Sequence, residues 1–245
     1  MNPPARFVTL VGLLLALLGS ASAADLAAPA PFQAHYDLYG IDLPLGEASM
    51  ELHYPKPSHY AMRFNVRPNR LVALLVANQV QEQASGEIRD GEVQPIQYEQ
   101  QATTSGETRK VYLRFDRSAQ RITAQSNGEQ AVLPLSSGIM DPLSLNLTVM
   151  WDLQRGQLPE QYTLIDRTEL RRYQIRHEGE ALLKTALGSL RTVRISQAQP
   201  GGTRLTTFWF AVDLQYLPVR ITRQKKGRED LRLEIRSVEQ HRPLN

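Results

Sequence analysis

Hydrophobic and polar residues alternate along most of this chain with the two-residue period of strands buried on one face. Phe32, Ala34, Tyr36 and Leu38 share one face, and Gln33, His35 and Asp37 share the other. After a turn around residues 40–46, Ala48, Met50, Leu52 and Tyr54 repeat the pattern, and Tyr60, Met62, Phe64 and Val66 follow across the turn at Pro55 to Ser58. Strands are predicted at residues 84–89 and 94–101, on either side of Asp90-Gly91, a dipeptide that suits a tight hairpin turn. Val111, Leu113 and Phe115 alternate before a turn at residues 117–120, and Ile122 and Ala124 begin the returning strand. Seven more strands are predicted at residues 162–165, 170–177, 181–185, 189–197, 204–212, 217–223 and 230–238, separated by glycines. Turn signals at intervals of about ten residues, with no helical pattern between them, predict antiparallel pairing. The apolar run at residues 71–80 fits no period and, being rich in alanine and leucine, is expected to form a short helix.

One stretch, residues 138–156, reads as a helix. Asp141 offers a capping oxygen, Pro142 suits the first helical position, and Gly156 can end the helix in the left-handed region. Leu143, Leu147, Met150 and Trp151 form an apolar stripe. Leu145, Val149 and Leu153 widen it so far round that Ser144, Thr148 and Asp152 make only a polar strip. A helix so apolar needs cover on most sides. The fold predicted is therefore mainly β: one strongly curved antiparallel sheet, a half-barrel or open barrel, wrapping one helix.

The first residues concern destination. A short basic start, an apolar run at residues 7–18 and Ala21-Ser22-Ala23 make a signal-peptide pattern, predicting cleavage after Ala23 and a periplasmic or secreted protein. The run is shorter than the ~20 residues that span a bilayer, so no stable membrane span is expected after cleavage. With no cysteine, the chain has no lipidation site and no disulfide, and its core alone must stabilise it. The expected organisation is a signal peptide at 1–23, a loosely held lead at 24–31, one β-rich domain at 32–240 and a tail at 241–245.

Charge is unevenly spread. Residues 24–166 carry 11 Lys and Arg against 17 Asp and Glu, whereas residues 167–245 carry 16 against 8. Three of these basic residues, Lys225, Lys226 and Arg228, share one turn. Such a turn suits the phosphates of envelope lipids, while its plainer reading is a solvated hairpin tip. Without interleaved stacking aromatics, nucleic acid is not an expected partner.

A resemblance is carried by Asp141-Pro142-Leu143-Ser144, then Thr185-Ala186-Leu187-Gly188, then Trp209-Phe210-Ala211-Val212-Asp213, then Leu217-Pro218-Val219-Arg220. In this order the motifs resemble the bacterial exported family known as domain of unknown function 3108, over most of the chain after the leader. The resemblance implies an exported, mostly β protein of Gram-negative envelopes and brings no catalytic residue. By analogy it also implies an architecture similar to periplasmic lipoprotein carriers.

Recognisable reaction chemistry is absent: there is no nucleophile elbow, phosphate loop, dinucleotide fingerprint or metalloprotease motif. Ser136-Ser137-Gly138 reads as a turn, and Asn146-Leu147-Thr148 matches a glycosylation sequon within the buried helix. His53 and His59 flank one turn, but two histidines are too few ligands for a stable metal site. Asp141, Asp152 and Asp166 are candidates for an acid and base pair, but Asp141 already has a capping role and no spacing fixes the others together. The leading expectation is non-catalytic binding of an apolar or amphiphilic envelope component, or of another envelope protein, in the concave face, with no cofactor. Trp151, Leu147, Met150, Phe208, Trp209 and Phe210 would line the cleft, and Lys225, Lys226 and Arg228 would contact an anion. For the aromatics the plainer reading is ordinary core packing. The alternatives are an enzyme acting on envelope lipid or polysaccharide through an unrecognised acidic site, and a structural interaction module.

Overall fold

The computed structural model describes residues 28–69, 79–104 and 106–240. The first eight strands are β1 (Phe32–Gly40), β2 (Leu43–Lys56), β3 (His59–Pro68), β4 (Gln79–Arg89), β5 (Glu92–Thr104), β6 (Glu107–Asp116), β7 (Arg121–Ser126) and β8 (Glu129–Pro134). The two-residue β9 (Ile139–Met140) and the helix α1 (Ser144–Gln154) follow. The chain then forms β10 (Gln161–Asp166), β11 (Glu169–Thr185), β12 (Gly188–Ala198), β13 (Arg204–Ala211), β14 (Leu217–Lys225) and β15 (Arg228–Gln240). All lie in one sheet, ordered β8-β7-β6-β5-β4-β3-β2-β1-β15-β14-β13-β12-β11-β10-β9.

Connectivity forces this sheet to curl. Laid flat, fifteen strands about 4.8 Å apart would be roughly 67 Å wide. Yet β8 and β9 are its opposite edges, and only residues 135–138 join them. Five Cα steps reach at most about 18 Å, so the edges come close and the sheet is an open barrel. Each strand turns alternate residues inward, as the run buried, exposed, buried through Phe32, Gln33 and Ala34 illustrates.

The helix fills the interior, with Leu145, Leu147, Val149, Met150, Trp151 and Leu153 all buried. Its start is fixed by Asp141, whose Oδ1 accepts hydrogen bonds from the backbone N–H groups of Leu143 (2.9 Å) and Ser144 (2.8 Å). Its end is a paired-bond cap. The Gly156 N–H donates to the Leu153 carbonyl and the Gln157 N–H to the Asp152 carbonyl, with Gly156 left-handed at φ 65°. Helix and sheet are tied by a hydrogen bond of 2.7 Å between the Tyr60 and Ser144 hydroxyls.

Several expectations change in detail. The segments 170–177 and 181–185 are one strand, β11, in which a bulge between His177 and Glu180 mimics a turn. The edge strands β8 and β9 were not anticipated, and β9 pairs with β10 in parallel, the exception in an otherwise antiparallel sheet. Val212 leaves β13 for a single 3-10 turn. The helix expected at residues 71–80 lies mostly outside the described residues, although Gln79 and Val80 belong to β4. The expected signal peptide and the tail at 241–245 also lie outside them. The end of the lead is anchored: the Pro29 carbonyl accepts from the Tyr54 hydroxyl at 2.7 Å, and the Ala30 N–H donates to Gln215 at 2.6 Å.

Candidate functional site

Hairpin turns alternate between the two ends of the barrel, and α1 runs between them, leaving a recess at each end. The larger, about 490 Å³, opens beside the start of the helix between Leu143, Asn146 and strands β13 to β15. That volume suits a small-molecule site. Strand register builds its wall in layers. Deepest is an apolar row of directly paired residues, Ile195, Phe208, Ile221 and Leu233. Two residues nearer the mouth the row reads Gln197, Thr206, Arg223 and Leu231. At the rim Arg204 pairs with Lys225, which pairs with Arg228. Across about two strand repeats the wall thus passes from apolar through polar to cationic.

The charges here are unequal in availability. Arg223 is held by Asp230, donating from Nε at 3.1 Å and from Nη2 at 2.9 Å to its two carboxylate oxygens. Asp166 lies 3.3 Å from Arg171. Arg204 has no carboxylate partner among the described residues, so its charge is open to a ligand. Across the groove, Glu82 accepts hydrogen bonds from Tyr98 and Gln100, both at 3.1 Å. Burial raises its pKa, and those two donors pull only partly the other way. Glu82 therefore takes up a proton more readily than a solvated glutamate.

The second recess, about 370 Å³, lies beyond the end of the helix. Trp151, Asp152, Arg155, Tyr162 and Arg117 line it. Asp152 accepts from the Tyr162 hydroxyl and from Arg155 Nη2, both at 2.6 Å, and Arg155 Nη1 donates to the Gly91 carbonyl at 2.7 Å. The Arg155 guanidinium lies over the Trp151 ring, 5.3 Å from its centroid. This network locks the last turn of the helix to the β4–β5 turn and to β10. The Trp151 Nε1 is buried without a hydrogen-bond partner.

The residues anticipated as one cleft lining are thus divided between the two ends and the core. Phe208 faces the larger groove, and Phe210, 2% exposed, is stacked behind it in the core. Leu147 and Met150 are sealed in the core, and Trp151 faces the smaller recess. Trp209 points to the opposite face of the sheet, where the Arg220 guanidinium lies 5.8 Å from its ring centroid. Lys225, Lys226 and Arg228 are exposed at the rim beside Arg204. Arg204 and Glu82 escaped the sequence reading. Polar residues at inward positions of strands, Glu82 between Val80 and Ala84 and Arg204 before Thr206 and Phe208, were the signal that marked them.

The acids considered for catalysis do not converge. Asp141 is fully buried as the helix cap, and burial raises its pKa to about 6. Asp152 belongs to the smaller recess and Asp166 to the larger. His53 and His59 each face their own glutamate, Glu51 at 3.7 Å and Glu87 at 3.5 Å. Among the described residues no three His, Asp or Glu side chains gather as a metal site, and no helix is long and apolar enough to cross a membrane.

A fold similar to this one occurs in the crystal structure of a β-barrel-like protein of domain of unknown function DUF1849 from Brucella abortus. The TM-score is 0.57 at 12% identity, over 88% of this chain and 99% of that one. At that identity the likeness shows the fold alone. No curated protein matches the sequence. Residues 32–233 match the family described as "Protein of unknown function (DUF3108)", spanning the barrel from its first strand to the middle of its last, and the chain belongs to that family.

Proposed function

We propose that this is an exported envelope protein that binds, without catalysis, one amphiphile with an anionic head in the larger groove. The tail lies against Phe208, Ile221 and Leu233, and the head meets Arg204. The single observation supporting this most strongly is the layered wall, whose apolar, polar and cationic rows follow one another in the order of the parts of such a molecule. Export through cleavage near Ala23 is part of the proposal, and so is the architectural analogy with periplasmic lipoprotein carriers, which supplies no residue. Native mass spectrometry of the protein isolated from its own envelope without detergent tests the reading. The expected spectrum has an added mass the size of a lipid or fatty acid, lost in Phe208→Asp. A bare protein that also forms no adduct with added anionic amphiphile would overturn it.

A further inference from the structure

We propose that the barrel end around the groove mouth is a docking rim for an anionic bilayer surface. Three turns lie side by side there, because β2, β1, β15, β14 and β13 are consecutive in the sheet: the β1–β2 tip, the β14–β15 tip and the entry to β13. At the first tip Ile41 is 77% and Leu43 66% exposed. The tip is tied to its neighbour, since Asp42 lies 3.1 Å from Arg232 of β15. Val132 and Leu182 are comparably exposed but lie in β8 and β11, away from this tip.

Beside these side chains stand Arg204, Lys225, Lys226 and Arg228, none with a carboxylate partner among the described residues. The neighbouring acids are already engaged: Asp230 by Arg223, and Asp42 and Glu229 by Arg232. The rim therefore presents uncompensated positive charge next to projecting aliphatic side chains. That is the chemistry of interfacial binding, in which cations meet lipid phosphates and aliphatic groups enter the headgroup boundary. The proposal goes beyond the groove reading and shares only Arg204 with it. If both hold, an amphiphile passes between bilayer and groove through the mouth that the rim surrounds.

Vesicle flotation tests it, with parent and variants prepared alike and offered vesicles of phosphatidylcholine alone or with phosphatidylglycerol. The parent is expected to float only with the anionic vesicles and to be released by high salt. Each cation near an anionic surface is worth about a fivefold gain in binding, so Lys225→Gln, Lys226→Gln and Arg228→Gln together should weaken flotation on the order of a hundredfold. Ile41→Ser with Leu43→Ser should weaken it while leaving the salt dependence intact. All five positions are exposed, so the thermal midpoint should not move. Equal binding to both vesicle types, binding to neither, or a triple variant that floats like the parent would each overturn the rim. Binding of a water-soluble anionic amphiphile, measured by calorimetry below its micellar concentration, reports on the groove separately and should survive the Ile41 and Leu43 changes.

Discussion

Phe208 and Phe210 stack with ring centroids 5.7 Å apart and planes 18° from parallel, so one ring faces the groove and the other is sealed behind it. The pair divides a structural role from a binding role. Phe210→Ala is expected to cost about 3–5 kcal/mol of stability, the usual figure for an aromatic removed from a core. Phe208→Ala should cost less and weaken amphiphile binding more. Urea unfolding and calorimetric titration of both variants check this, and equal effects on stability would contradict it.

Arg204 supplies charge to the groove without supporting the fold. Arg204→Gln should weaken binding of an anionic amphiphile roughly tenfold, as expected for a charged contact worth about 1.5 kcal/mol, and leave a neutral amphiphile unaffected. Its unfolding midpoint should match the parent, because an exposed, unpaired side chain contributes little to stability. Equal losses for charged and neutral ligands would mean that Arg204 shapes the groove rather than recognising charge.

Asp141 makes the protein more stable in mild acid. Its carboxyl has a pKa of about 6 when folded against an ordinary 3.8, so between these values the folded chain holds the proton that the unfolded chain releases. The stabilisation is complete below the unfolded value and is lost as pH rises through 6, amounting to about 1–2 kcal/mol between pH 5 and 7.5. Glu82, also raised, acts in the same direction. Asp141→Asn keeps a capping oxygen without the charge and should flatten much of the dependence. Urea unfolding at the two pH values decides it, and a parent less stable at pH 5 would contradict the assignment.

Gly86 makes room for the ring that ties sheet to helix. A Cβ there would lie 2.3 Å from the Gln94 carbonyl oxygen and 2.6 Å from the Tyr60 ring and hydroxyl. Gly86→Ala should therefore destabilise strongly, by about 2 kcal/mol or more, as overpacking does. It should also displace Tyr60 from Ser144. Tyr60→Phe, which removes only the hydroxyl, should cost about 1–2 kcal/mol. Thermal unfolding of the two variants gives the order; a milder effect for Gly86→Ala would contradict the packing.

Much of the barrel was legible because burial on one face imposes alternation, and Phe32 through Leu38 could hardly form anything else. The edge strand β8 was not, since only Ala131 and Leu133 turn inward and the exposed Val132 between them blurs the alternation. The bulge at Gly179 hid the continuity of β11 because a bulge and a turn both use glycine. The groove was harder still. Glu82, Phe208 and Leu233 meet only through the strand register, which no local pattern encodes. Trp151 and Phe208 are expected from the sequence to line one cleft, yet the helix spans about 16 Å, and its two ends open into different recesses.

The central claim, that an anionic amphiphile occupies the groove at the start of the helix, is tested most directly by locating one. A crystal of the protein with a fatty acid brominated near its methyl end should show the bromine anomalous signal against Phe208, Ile221 and Leu233, with the carboxylate toward Arg204. A bromine found only in the Trp151 recess, or none at saturating ligand, would contradict the account.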